Sequence, residues 1–371
     1  MQITAAVTWA PMSAFTIEQI QLDAPRADEV LVRIVGVGLC HTDLVGVAGA
    51  FPMSFPAVFG HEGAGIVEQV GSSVNKVKPG DRVAITFRSC GRCNNCTTHH
   101  PAYCYTMPTL NYTGARTDDT KTLSDTRGPI SGSFFGQSSF ATHALAYERN
   151  LVKVPDGVPL EIMGTLGCGV QTGAGAVMRA MVCGRGSSLL VLGGGAVGLS
   201  ALLGGVVQAC ATIIVVEPHA ARRELARSLG ATHVIDPLGA DLAAAVRAVA
   251  PDGVDYAFDS TAMPAVVEAA TQCLAPHATF GFVGVPSAAD LGMKLPATML
   301  EVISRGYTYK GIIEGDSEPD EFIPQLIDMY RAGRFPFDRL IKTYPLTAIN
   351  EAVSDQRRGA CVKAVLLSGA D

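Results

Sequence analysis

The hydrophobic positions change period part-way along the chain. From residue 1 to about 170 they fall in short extended runs, such as Thr4–Trp9, Glu29–Gly36, Ala64–Val70 and Arg82–Phe87, broken by turn segments such as Lys78-Pro79-Gly80-Asp81. Many short runs with this punctuation predict a β-rich, partly barrel-like domain. Near Gln171 the texture changes. Ser188–Leu192, Ala211–Val216, Val234–Asp236, Tyr256–Asp259 and Thr279–Val283 read as strands, and Ala221–Leu229 and Leu242–Val249 carry helical spacing between them. Strand and helix in alternation predict a doubly wound parallel sheet. After Lys310-Gly311 the mixed texture returns, with a helix over Pro319–Ala332 and a last strand over Cys361–Leu367. The expected architecture is α/β with two domains: a β-rich one from residues 1–170 and 312–371, and a parallel-sheet one, 171–311, inserted into it. Residues 114–132 are polar and turn-rich, and read as a surface loop that adds nothing to a core.

Within the inserted domain, the strand Ser188–Leu192 runs directly into Gly193-x-Gly195-x-x-Gly198. The first glycine permits a tight turn. The second lets backbone N–H groups approach a pyrophosphate, and the third lets the following helix pack against the strand. Glu217 ends the next strand, where a carboxylate can accept hydrogen bonds from an adenosine ribose. The stretch Gly186–Val216 is uncharged and long enough to cross a bilayer. Its two glycine clusters, β-branched end and lack of basic flanks favour a buried βαβ unit instead.

Composition narrows the class. The 371 residues, 48% hydrophobic and 17% charged, describe a well-buried protein rather than a disordered one. A net charge of −6 provides neither a basic face for nucleic acid nor a polybasic membrane anchor. No basic stretch followed by an apolar core opens the sequence, so the expected location is the cytoplasm, with the 10 cysteines serving as thiols and metal ligands.

Cys90, Cys93, Cys96 and Cys104 form C-x2-C-x2-C-x7-C, which points to one closed, tetrahedral structural metal in a lobe of about residues 88–106. An iron–sulfur cluster is the competing chemistry, and zinc is preferred because nothing else suggests electron carriage. Cys40-His41-Thr42-Asp43, Gly60-His61-Glu62-Gly63 and Gly167-Cys168-Gly169 lie far apart. Spacing alone does not unite them, and each taken singly reads as packed core.

Gly60–Val83, GHEGAGIVEQVGSSVNKVKPGDRV, closely resembles the signature of zinc-dependent alcohol dehydrogenases of the medium-chain dehydrogenase/reductase superfamily. The four-cysteine run, Gly167-Cys168-Gly169 and the glycine turn occur in the family's order, so the resemblance covers essentially the whole chain. It implies a GroES-like catalytic domain with an inserted Rossmann domain, two zinc ions per chain and a nicotinamide cofactor. Cys40, His61 and Cys168 are then implied to bind a catalytic zinc, with Glu62 as a transient ligand. Asp43 would orient His61, and Thr42 would take the alcohol proton. Zinc acidifies a bound hydroxyl, so hydride can leave for the nicotinamide near neutral pH. On the cofactor side the resemblance implies Thr172, Val197 and Val285 near the nicotinamide, Arg222 beside Glu217 at the ribose, and His41 and Lys363 near the pyrophosphate. Ala196, Val283 and Ile312 complete the expected cofactor-binding set. Val45 stands where family members often carry the histidine of a proton relay, so either the ribose hydroxyl passes the proton straight to water or another base substitutes.

Glu217 repels a 2′-phosphate, which favours NAD over NADP. Ser133–Leu145, Gly167–Val177 and Lys310–Pro324 look like those of bacterial aryl-alcohol and geraniol dehydrogenases. That likeness implies aromatic or allylic primary alcohols, each with a flat π-system beside the CH2OH and each giving a conjugated aldehyde. Candidate pocket walls are Phe51, Met107, Leu110, Phe134, Phe135, Ile312 and Ile313. A short-aliphatic or S-hydroxymethylglutathione dehydrogenase on the same scaffold is the alternative, and a non-catalytic family member comes last. The expected partners are a small alcohol or aldehyde and further copies of the chain, as a dimer or tetramer, with no nucleic acid and no membrane.

Overall fold

In the computed structural model, described for residues 1–239, 241–286 and 290–369, the chain divides into two compact units. The first comprises Met1–Cys168, Glu318–Arg331 and Asp338–Asp371; the second comprises Gly169–Ser317 and Ala332–Phe337. Residues 332–337 therefore group with the inserted unit, against a sequence expectation that ended it at 311.

The first unit is built on two sheets. In one, the strands run in the order Ala57–Val58, Gln2–Thr8, Thr16–Leu22, Leu123–Asp125 and Gly128–Ile130. The other has seven strands centred on Glu29–Gly38, which pairs antiparallel with Gly63–Val70, with His143–Tyr147 and with Lys363–Leu367. Val30, Leu31, Val32, Ile34 and Val37 of the central strand are all buried, as expected of a strand covered on both faces. The last strand brings the distant C-terminal segment home. Val365, Leu366 and Leu367 register against Gly38, Val37 and Gly36, and Leu39 N–H donates to Ala364 O at 2.9 Å. This pairing fixes Lys363 beside Leu39 and Cys40.

Residues 114–132 are not a bare surface loop. Leu123–Asp125 and Gly128–Ile130 form a hairpin that extends the first sheet through Thr16–Leu22, and Leu123 and Ile130 are buried. Arg116 is 4% exposed and anchors the segment. Its guanidinium donates to Glu29 Oε1 at 2.6 Å and Oε2 at 3.1 Å, and to Asp23 Oδ2 at 2.7 Å. Strands of three residues are too short to show a period, which is why the sequence reads as a loop there.

The second unit holds a six-stranded parallel sheet in the order His233–Ile235, Thr212–Val216, Ser188–Leu192, Val254–Asp259, Leu274–Phe282 and Thr308–Gly311. The chain starts at the middle and winds outward both ways, which is the doubly wound topology. Its central strands are continuous apolar runs, with Leu189–Leu192 and Ile213–Val216 buried throughout. The helix Ala196–Val207 follows the glycine turn. No helix among the described residues is long and apolar enough to cross a membrane.

Arg116→Met should leave the Glu29 carboxylate buried without its cation, at a cost of about 3–5 kcal/mol. The single tryptophan, Trp9, lies in the same unit, so urea unfolding followed by its fluorescence should report the loss. Burial acts to raise the Glu29 pKa, but Arg116 and the Arg26 N–H hold it below its ordinary 4.5. The stabilisation is therefore full above pH 4.5 and is lost as pH falls through the lower folded value, so the gap between wild type and variant should close in acid.

Candidate active site

Cys40, His61, Glu62 and Cys168 meet in the first unit, with their ligand atoms all within 4.8 Å of one another. Each is delivered by a different piece of backbone. Cys40 is the N-cap of the helix His41–Val47. His61 and Glu62 lead into the strand Gly63–Val70, and Cys168 follows the 3-10 turn Gly164–Gly167. Thr86 Oγ1 ties that turn down by donating to Gly167 O at 2.7 Å.

Asp43 organises the group. It is fully buried and accepts from Cys40 N–H at 2.9 Å, Gly60 N–H at 3.0 Å and, at 2.8 Å, from His61 Nδ1. With Nδ1 donating to the carboxylate, the lone pair of His61 lies on Nε2. Nε2 is buried and has no hydrogen-bond partner. Two thiols and an unpartnered imidazole nitrogen within a few ångströms are a donor set suited to zinc, so the residues fit that ion.

The local electrostatics agree with this chemistry. Cys168 and His61 beside Cys40 hold its thiol well below the usual range, against the effect of burial. For His61, burial opposes protonation, yet the Asp43 carboxylate and the Cys40 sulfur raise it well above its ordinary value. A divalent cation would take the place of that proton, as metal binding releases protons from its ligands. Glu62 is fully buried and its pKa is raised by burial, partly offset by Lys363.

Lys363 is 2% exposed, 2.5 Å from Glu62 Oε2, and donates to Leu39 O at 3.1 Å. Thr42 is partly exposed, its Oγ1 3.8 Å from Cys40 Sγ, and His41 is exposed on the same turn. Phe134 and Phe135, read as pocket walls, are buried against His61, whose ring Phe135 stacks at 4.5 Å and Phe134 meets edge-on at 5.7 Å.

The four-cysteine run forms a second cluster in the same unit, its sulfurs also within 4.8 Å of one another. Cys90 N–H points at Cys104 Sγ and Cys93 N–H at Cys90 Sγ, at 3.2 and 3.4 Å. Burial works against ionising Cys90, but the N–H groups of Arg92 and Cys93 outweigh it and bring the thiol down to about 6. Cys96, by burial and its neighbouring sulfurs, is pushed up to about 12. Four thiols crowded this closely cannot all ionise alone, and a bound cation would let them.

In the second unit the glycine turn has the shape a pyrophosphate needs. Gly193 has φ +99°, and a Cβ on Gly198 would stand 1.8 Å from Gly193 O. A Cβ on Gly195 would meet nothing within 4 Å, so that side of the turn is an open cradle. Ala196 and Val197 begin the helix behind it. Glu217 is 3% exposed, with Oε2 accepting Gly194 N–H at 2.8 Å and Oε1 accepting His219 N–H at 2.9 Å and His219 Nδ1 at 2.6 Å. His219 was not singled out from sequence, where only its place two residues after Glu217 marks it. Arg222 lies half-buried on the helix Ala220–Ser228. Thr172 is buried, with Oγ1 3.5 Å from Glu314 Oε2, which also accepts from Gln171 Nε2 at 3.1 Å. Glu314 is a second residue the sequence did not mark. Val283 is half-buried, Val285 exposed and Ile312 buried.

A metal-ready thiolate–imidazole set in a β-rich unit and a dinucleotide-type turn in a parallel-sheet unit define the class: a metal-assisted, nicotinamide-type oxidoreductase. Residues 26–156 match the alcohol dehydrogenase GroES-like domain, and residues 196–331 match the zinc-binding dehydrogenase domain. The chain is 47% identical to geraniol dehydrogenase of Castellaniella defragrans, over 98% of this chain and 97% of that one. Among solved structures it matches benzyl alcohol dehydrogenase of Acinetobacter calcoaceticus with TM-score 0.94 at 40% identity, covering 99% of both chains. It also matches an alcohol dehydrogenase zinc-binding domain protein of Burkholderia ambifaria with TM-score 0.95 at 46% identity, again over 99% of both. The chain belongs to the zinc-dependent alcohol dehydrogenases of the medium-chain dehydrogenase/reductase superfamily. It is an oxidoreductase acting on small alcohols.

Asp43→Asn keeps the shape of the side chain but removes the charge that three donors share. It should weaken metal retention at the Cys40, His61 and Cys168 set by about 10–100-fold and leave the four-cysteine set unaffected. Competition with a chromogenic chelator measures both.

Proposed function

We propose that the enzyme oxidises aromatic or allylic primary alcohols to conjugated aldehydes, reversibly, with NAD as hydride acceptor and two zinc ions per chain. The observation that carries the catalytic part is the unpartnered, buried Nε2 of His61 among the thiols of Cys40 and Cys168. The substrate class is supported by the similarity to relatives named for geraniol and benzyl alcohol. It is supported too by the stacked, partly exposed rings of Phe51 and Tyr112.

Zinc held by Cys40, His61 and Cys168 would act as a Lewis acid on the alcohol oxygen, easing loss of its proton near neutral pH. Around it the chain's own residues divide the work. Cys40 and Cys168 provide thiolates, so with a neutral His61 the set comes close to cancelling a double positive charge, which favours exchange of neutral alcohol and aldehyde. Asp43 locks the His61 tautomer. Glu62 is held back by Lys363 and stands ready as a passing ligand. Thr42, next to Cys40, would accept the hydroxyl proton while its own passes on to water, since Val45 on the same helix offers no group to carry it.

NAD would supply the acceptor carbon for hydride. Gly193, Gly195, Ala196, Val197 and Gly198 would cradle its pyrophosphate, while Glu217, hydrogen-bonded to His219 and with Arg222 on the following helix, would face the adenosine ribose and repel a 2′-phosphate. Thr172, whose Oγ1 meets Glu314, would lie against the nicotinamide with Val283, Val285 and Ile312. The second set, Cys90, Cys93, Cys96 and Cys104, would hold a zinc through its four thiolates, which would stiffen the lobe. The enzyme works in the cytoplasm as a homo-oligomer. Exposed Met299, Leu300 and Ile303 on one short helix support self-association.

Initial rates on benzyl alcohol, geraniol, ethanol and S-hydroxymethylglutathione, each with NAD and with NADP, test the proposal. Benzyl alcohol and geraniol with NAD should exceed ethanol in kcat/KM by more than about a hundredfold, since a pocket shaped for a π-system gains roughly 1–3 kcal/mol per buried group. A lead for ethanol or the glutathione adduct would replace the substrate class, and a lead for NADP would remove Glu217 from its role.

A further inference from the structure

The turn beside His61 is bent in a way that sequence economy does not explain. Ser133, Phe135 and Ser138 all adopt left-handed backbone, with φ of +56°, +53° and +58°. For an aromatic residue this region is a true outlier, because its Cβ crowds the backbone, and such strain persists only where the surroundings enforce it. Here they do. Ser138 Oγ accepts from Phe134 N–H at 2.9 Å and donates to Val58 O at 2.7 Å, and Asn150 Nδ2 donates to Phe135 O at 3.2 Å. Gln137 grips the backbone on either side of Glu62: its Nε2 donates to His61 O at 2.8 Å, and its Oε1 accepts from Gly63 N–H at 3.0 Å.

The bent turn delivers one side chain to one place. The Phe135 ring lies nearly flat on the His61 imidazole, with centroids 4.5 Å apart and planes 27° apart. Phe134 closes the imidazole edge-on at 89°, and Tyr112 backs Phe135 at 5.4 Å. Asp43 fixes His61 through Nδ1 alone, and one hydrogen bond leaves the ring free to swing about that contact. A face contact removes this freedom.

We propose that Phe135 is a positioning residue for the metal centre: the strained turn 133–138 presses its ring onto His61 and so fixes the plane in which Nε2 meets the ion. This inference rests on the proposed catalytic zinc, and it assigns Phe135 a task other than lining a substrate pocket. It separates the two constraints on His61, the hydrogen bond that selects the tautomer and the stacked ring that selects the orientation.

Zinc release from the loaded enzyme to a chromogenic chelator provides the test, with Cys168→Ser identifying which kinetic phase belongs to the catalytic set. Phe135→Leu keeps apolar bulk but loses the flat face, and should release that zinc about tenfold faster while the four-cysteine phase stays unchanged. Phe135→Tyr keeps the ring and should release within about twofold of wild type. Phe135→Met, which adapts to buried space, serves in the same way where the leucine variant does not fold. Release by the leucine or methionine variant at the wild-type rate, with only the melting temperature lowered, would make Phe135 plain packing and overturn the inference. A wild-type enzyme with no phase assignable to Cys168 would instead overturn the catalytic zinc itself, and the positioning role with it.

Discussion

Three donors converge on the buried carboxylate of Asp43, and the catalytic unit depends on that convergence. The N–H of Cys40 starts a helix, the N–H of Gly60 follows the short strand Ala57–Val58, and Nδ1 of His61 belongs to a side chain just before the strand Gly63–Val70. One anion therefore ties together the two chain segments that supply the first cysteine and the histidine. A carboxylate removed from water needs such donors to remain charged, and each donor in turn is oriented by it. The cost of burying Asp43 is offset by the same contacts that shape the metal set.

A second buried pair, Lys363 with Glu62, joins the ends of the sequence. The strand Lys363–Leu367 must complete the sheet around Glu29–Gly38 before Lys363 reaches Glu62. The charge environment of the site is thus finished only when the C-terminal segment has docked. This explains why residues on both sides of the inserted unit belong to one folded body.

Much of this architecture can be read from residues alone where the signal is local. The glycine turn, the four closely spaced cysteines and the shift from short β runs to alternating helix and strand each declare themselves within a few dozen residues. Cys40, His61 and Cys168 do not, because the last two stand 107 positions apart and no period links them; only likeness to a family unites them before the fold does. The hairpin around Leu123 and Ile130 escaped because its strands are too short to alternate visibly. The ion pair of Lys363 with Glu62 escaped because the two are distant in sequence and meet only through one strand pairing. Phe135 reads as an ordinary aromatic until its backbone and its stacking on His61 are seen together.

The central claim is that Cys40, His61 and Cys168 hold a zinc distinct from the one held by the four cysteines, and that alcohol oxidation needs it. Metal analysis of the purified enzyme and of Cys168→Ala, alongside benzyl alcohol oxidation, addresses it most directly. The account predicts about two zinc ions per chain in the wild type, and about one in the variant with activity abolished. Two zinc ions retained by an inactive or active Cys168→Ala would contradict it.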